Sequence, residues 1–151
     1  MKKVGSLCQT LSASARLREA LVQIGKTEHF LSRSVLFHIG DECAGVYLVC
    51  SGEVCLEVPG VPQLTRTFSA GSVLGLPSTF SEKPYSLTAV SATECDVVHV
   101  GEKTFLKLMK AEPDLCRQAM DILSREVTFI MSALRKSAET VSEAALTSAA
   151  S

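Results

Sequence analysis

The chain has 151 residues, 46% hydrophobic and 21% charged. That balance excludes a disordered tail or a collagen-like repeat and suffices for one buried core. Lys plus Arg number 15 and Asp plus Glu 16, a formal net charge of -1, which leaves no electrostatic footprint for nucleic acid or an anionic membrane.

Residues 1–12 read as a flexible arm. The start Met1-Lys2-Lys3 mimics a signal peptide, but Ser6, Gln9, Thr10 and Ser12 interrupt the apolar segment that export needs. No apolar run reaches the ~18–20 residues of a membrane span. The expected compartment is therefore the cytoplasm, where thiols stay reduced. From Ala13 to Gly25 an amphipathic helix is predicted, with Leu17, Leu21 and Ile24 on one face and Gly25 as terminator. His29 to Leu31 is a short apolar group bridging to the next element.

From Ser34 to Val100 the period changes to two. Strands are predicted at Val35–Ile39, Val46–Cys50, Glu53–Val58, Leu64–Phe68, Ser86–Val90 and Asp96–Val100. Gly40-Asp41, Ser51-Gly52, Pro59-Gly60 and Gly71 mark the turns between them. Short strands with regular turn signals imply an antiparallel, jelly-roll-like sandwich or barrel, mainly β with flanking α.

After Gly101 the period returns to 3.6. Glu102–Ala111 reads as a short helix with Phe105, Leu106 and Met109 inward, and Pro113 opens a long one. Apolar residues recur at Cys116, Met120, Leu123, Val127, Ile130 and Leu134 with spacings of 4, 3, 4, 3 and 4. This heptad seam is the pattern of a helix that pairs with another helix. Ile122, Phe129 and Met131 form a second apolar face, expected to pack on the chain's own sandwich. The domain is placed at residues 13–136, followed by a tail, residues 137–151, in which nine of fifteen residues are Ala or Ser and which is expected to fray.

Six cysteines are present, at positions 8, 43, 50, 55, 95 and 116, none in a C-x-x-C pair. They read mainly as small buried hydrophobes, with Cys8 and Cys43 the more reactive candidates. His29, His38 and His99 show no metal-ligand spacing. No catalytic residue, metal or cofactor is expected. A cysteine-based redox sensor is an alternative that rests on cysteine count.

Three segments, in this order and between these helices, carry a resemblance. They are Val35 to Val54, including Gly40-Asp41, Tyr47-Leu48-Val49 and Ser51-Gly52-Glu53-Val54; Gly71-Ser72-Val73-Leu74-Gly75; and Lys83-Pro84-Tyr85-Ser86-Leu87-Thr88-Ala89-Val90, followed by Thr93 to Val97. Together they resemble the cyclic-nucleotide-binding domain of the catabolite-activator and fumarate–nitrate-regulator superfamily, over about residues 15–136. The resemblance implies a phosphate-binding cassette at Gly75, Leu76, Pro77, Ser78, Tyr85 and Ser86, with Ile130 and Met131 of the long helix facing the base. It also implies a homodimer through the seam Met120, Leu123, Val127, Ile130 and Leu134.

The cassette departs from the family's pattern. Where the family has a glutamate for the ribose hydroxyl, this chain has Leu76. Where the family's Pro-Arg-Ser/Thr-Ala holds the phosphate by its arginine, this chain has Tyr85, and Leu87 replaces the alanine. Each charge-assisted hydrogen bond is worth roughly 1.5–3 kcal/mol, so losing both costs several kcal/mol of ligand affinity. Lys83, two residues before Tyr85, reads as a solvated loop lysine, the alternative being that it faces the same side of an extended strand and partly substitutes for the missing charge. Cyclic nucleotide is thus disfavoured, and the expectation is a non-catalytic, sensor-like or regulatory domain that acts through a protein partner or a second copy. The alternative is a regulator that binds cyclic nucleotide or another small effector. The segment after Lys136 supplies no basic recognition helix, so no DNA binding is expected from this chain.

Overall fold

A computed structural model describes the backbone of residues 7–150 and the side chains of residues 7–139. Helix α1, Ala15–Ile24, starts where the Ser14 hydroxyl accepts a hydrogen bond from the Leu17 N–H at 3.2 Å. It ends at Gly25, whose N–H donates to the Leu21 carbonyl at 2.9 Å. Eight short strands follow: β1 Lys26–Phe30, β2 Val35–Phe37, β3 Val46–Ser51, β4 Val54–Glu57, β5 Arg66–Phe68, β6 Val73–Leu74, β7 Thr88–Ser91 and β8 Cys95–Val100. Helix α2, Leu76–Ser81, lies between β6 and β7, and α3, Glu102–Ala111, and α4, Pro113–Ala150, close the chain.

The strands form two four-stranded antiparallel sheets, in the orders β1-β8-β3-β6 and β2-β7-β4-β5. This is the jelly-roll-like sandwich with a long C-terminal helix that the period-two stretches predict. Val46, Leu48, Val54, Leu56, Phe68, Val97 and Val100 lie in the common core, each almost fully buried. The helices close its ends with Leu17 and Leu21 of α1, Phe105 of α3, and Leu115, Ala119 and Ile122 of α4.

Several expectations need correction. Residues 26–30 are a strand, not a bridge. The segment Lys-Thr-Glu-His-Phe is too polar to show a period, yet it lies at a sheet edge and its backbone pairs with β8 from Lys26↔His99 to Phe30↔Cys95. The stretch around Leu64 opens with a single 3-10 turn, Pro62–Leu64, because Pro62 cannot donate to a ladder. The expected arm is docked from Cys8 onward: the Cys8 N–H donates to the Thr67 carbonyl at 2.9 Å, the Val73 N–H to the Leu11 carbonyl at 2.9 Å, and Leu11 is buried. Residues 1–6 lie outside the described residues. The Ala-rich tail continues α4 as far as Ala150, in keeping with alanine's helix propensity. Its side chains from residue 140 onward lie outside the described residues.

On α4, Ile122 and Phe129 face the roll as expected, but Met131 is 56% exposed. Two residues beyond Phe129 is about 200° around a helix, so the two cannot share a face. Met131 joins the outward stripe with Met120, Val127 and Leu134, all exposed, while Leu123 and Ile130 flank it half-buried.

Candidate functional site

Helix α2 starts at Gly75, which takes φ +88° as the residue preceding the helix. That left-handed conformation suits glycine. A Cβ there would also meet the Gly45 carbonyl oxygen at 2.9 Å. Leu76 is fully buried and belongs to the hydrophobic core. The Ser78 hydroxyl donates to the Pro84 carbonyl at 3.1 Å and the Thr79 hydroxyl to the Gly75 carbonyl at 2.8 Å, which ties the helix to its own flanks.

Tyr85 is the centre of the site. Its backbone is stitched to the 40–45 loop in both directions: the Gly40 N–H donates to the Tyr85 carbonyl at 2.8 Å, and the Tyr85 N–H to the Asp41 carbonyl at 3.0 Å. Its phenol donates to the Gly45 carbonyl at 2.7 Å and accepts from the Ala44 N–H at 3.0 Å. The ring stacks on Phe37, with centroids 3.9 Å apart and an angle of 15°. Phe37 in turn contacts Tyr47, and Tyr47 stacks on His99 at 4.6 Å, so four rings run in a row. Only 3% of Tyr85 is exposed, and burial pushes its phenol well above the ordinary value. It therefore stays neutral and serves as both donor and acceptor.

The structure brings Gly75, Pro77, Ser78, Tyr85 and Ser86 together around one cavity, with Phe37, Leu56 and Leu87 completing the wall. Its volume is about 20 Å³. A single water needs roughly 10–15 Å³, whereas ligand pockets run to about 300–1,000 Å³. Leu76 is not in the wall, and neither are Ile130 and Met131 of α4. Lys83 is exposed. Among the described residues no buried side-chain nitrogen or oxygen lacks a hydrogen-bond partner. None is left waiting for a ligand to satisfy it.

Pattern reading missed the charged pair that holds α4. Arg66 of β5 and Glu126 of α4 are both buried and meet in a bidentate pair, Nη1 to Oε1 at 2.6 Å and Nη2 to Oε2 at 2.9 Å. The one available signal was a glutamate three residues before Phe129 on the face that Ile122 predicts to be buried. The described residues include no group of three His, Cys, Asp or Glu able to hold a metal ion. Of the cysteines, Cys95 is buried and Cys50 exposed, the others half-buried. Burial raises the thiols of Cys55 and Cys95 above their ordinary values, which disfavours the reactive thiolate. No described helix is long and apolar enough to cross a membrane.

Solved structures with the same fold include a candidate cyclic nucleotide binding protein of Ruegeria pomeroyi, at 21% identity over 84% of this chain and 56% of that one, TM-score 0.56. A c-di-GMP-responsive global regulator of Xanthomonas campestris matches at 19% identity over 83% of this chain and 63% of that one, TM-score 0.67. The catabolite activator protein of Thermus thermophilus matches at 18% identity over 87% of this chain and 60% of that one, TM-score 0.59. This chain therefore spans 56% to 63% of the length of these three. No curated protein matches it. The family model for the cyclic nucleotide-binding domain matches residues 27–112, more than half of the chain and the whole of the cassette. With the two sheets, the glycine-led helix and the long C-terminal helix in the same order, the chain belongs to the cyclic nucleotide-binding domain family.

Proposed function

We propose that this chain is a non-catalytic regulatory domain whose cassette is closed to cyclic nucleotides and which acts through contacts of α4. The observation that carries this reading is Tyr85. It occupies the position of the family's phosphate arginine, is buried by its stack on Phe37, and has both phenol hydrogen-bonding roles taken by the 40–45 loop. A cyclic phosphate entering a site without a counter-charge would lose its hydration uncompensated. The cavity of about 20 Å³ has no volume for it. The output surface is the exposed stripe Met120, Val127, Met131 and Leu134, which fits a second copy of the same helix.

Calorimetry with cyclic AMP and cyclic GMP tests this reading. The expected result is no binding below the millimolar range, and a micromolar dissociation constant would overturn it. The second reading, a regulator that does bind such an effector, is favoured by family membership and by the c-di-GMP response of the Xanthomonas relative. It requires Tyr85 to leave its stack, and the same titration would show it.

A further inference from the structure

We infer that Arg66 is an anion-binding site filled from within the chain, with the carboxylate of Glu126 as its ligand. The pair belongs to the inner face of α4, and its role stands whether or not the cassette takes an effector. Arg66 is the one buried cation among the described residues. Its side chain is 5% exposed and that of Glu126 2%. Two contacts from outside α4 orient the guanidinium. Its Nε donates to the Leu64 carbonyl at 3.1 Å, and the Phe68 ring lies 5.3 Å from Cζ. This leaves the two Nη groups as a fork aimed at α4, the geometry that recognises a planar carboxylate.

The occupant comes from elsewhere in the chain. Glu126 is 60 residues away in sequence and brings with it Phe129, which covers Arg66 at 4.6 Å. The Thr10 hydroxyl donates to the same carboxylate at 2.8 Å. Arg125, next on the helix, donates to the Thr10 and Ser12 carbonyls at 3.3 and 2.6 Å. Docking of α4 and filling of the Arg66 site are thus one event, and the N-terminal segment is secured by it. Phe129, which covers Arg66, also forms one wall of a cavity of about 330 Å³ with Gln63, Ser132, Ala133 and Lys136; Arg66 and Glu126 themselves do not line it. The class of ligand that fits is a small monocarboxylate, and the chain supplies its own.

The test is chemical rescue in the full chain. Glu126→Ala removes the ligand, and sodium formate is titrated against sodium chloride at equal ionic strength. Melting temperature and amide exchange over residues 113–139 are followed. The expected result is a lower melting temperature and faster exchange in the variant, with saturable recovery in formate but not in chloride. Wild type and the Arg66→Met, Glu126→Ala double variant should not respond. Equal effects of formate and chloride, or equal rescue of the double variant, would overturn the inference. Should Glu126→Ala fail to fold, Glu126→Gln decides, since it keeps the volume and one acceptor. Amide exchange near residues 122–130 should then be faster by about tenfold, the loss of one charge-assisted bond. Exchange at the wild-type rate would overturn the inference as surely.

Discussion

Tyr85 shows how a buried polar side chain is satisfied entirely from its own fold. An arginine there would need a counter-ion, because a lone buried charge is costly. A tyrosine needs a donor and an acceptor within reach of one oxygen, and the 40–45 loop offers both in Ala44 N–H and the Gly45 carbonyl. Gly45 makes this approach at φ +114°, where a Cβ would meet the Val100 carbonyl at 2.1 Å, so no other residue fits. Tyr85→Phe keeps the ring on Phe37 but leaves the Ala44 N–H and the Gly45 carbonyl unpaired. It is expected to destabilise the fold by roughly 1–3 kcal/mol, read from the urea midpoint at unchanged m-value. An unchanged midpoint would mean that water replaces the phenol without loss.

At the scale of elements, β1 illustrates how an edge strand is held when its own residues are polar. His29 bridges two carboxylates, Nδ1 to Asp96 and Nε2 to Glu94, each at 2.7 Å, and so clasps β1 to β8. Hydrogen bonds to Asp96 and then Glu94 hold the imidazole above its usual value of 6.5, and His29 holds Asp96 below the usual carboxylate range. The raised histidine contributes stability that is full below about pH 6.5 and is lost as pH rises through its folded-state value. The depressed Asp96 contributes stability above about pH 4 that is lost as pH falls through its lowered value. His29→Asn should therefore lower the melting temperature most between about pH 5 and 6, with the deficit shrinking by about pH 8. The groups are exposed, so added salt should narrow the gap at every pH. A deficit that grows at alkaline pH would contradict the clasp.

For the whole molecule the open question is what covers α4. Its inner face is committed to the roll by Leu115, Ala119 and Ile122 and by the Arg66–Glu126 pair. Its outer stripe exposes Met120 by 44%, Val127 by 55%, Met131 by 56% and Leu134 by 42%. Burying each in a helix pair is worth roughly 1.5–3 kcal/mol before the cost of association. Both copies contribute, so a homodimer at micromolar concentration is expected. Val127→Glu with Leu134→Glu places carboxylates in the stripe without touching the inner face. Sedimentation should show a dimer for the parent and a folded monomer for the variant. A parent that sediments as a monomer at tens of micromolar would leave the stripe to another partner.

The sequence by itself determined the succession of helix, short strands and helices, and with it the fold. Those signals lie within a few residues of each other: the alternation in Val54, Leu56 and Val58, the glycines at 40, 52 and 71, and the change to a 3.6 period after Gly101. It also assigned Gly75, Pro77, Ser78, Tyr85 and Ser86 to one cassette, through two short segments that resemble the family's, and these five line one cavity. It did not reveal β1, whose polar residues become a strand only through pairing with β8 some seventy residues later. It assigned Met131 to the wrong face, since a helix seam read without its partner leaves the inner face open to choice. Two matters belonged to the tertiary structure alone. One is the size of the cassette cavity, which depends on Phe37 arriving over Tyr85 from another strand. The other is the burial of Arg66 and Glu126: either charge alone is a surface residue by type, and only their meeting across the roll lets both leave water.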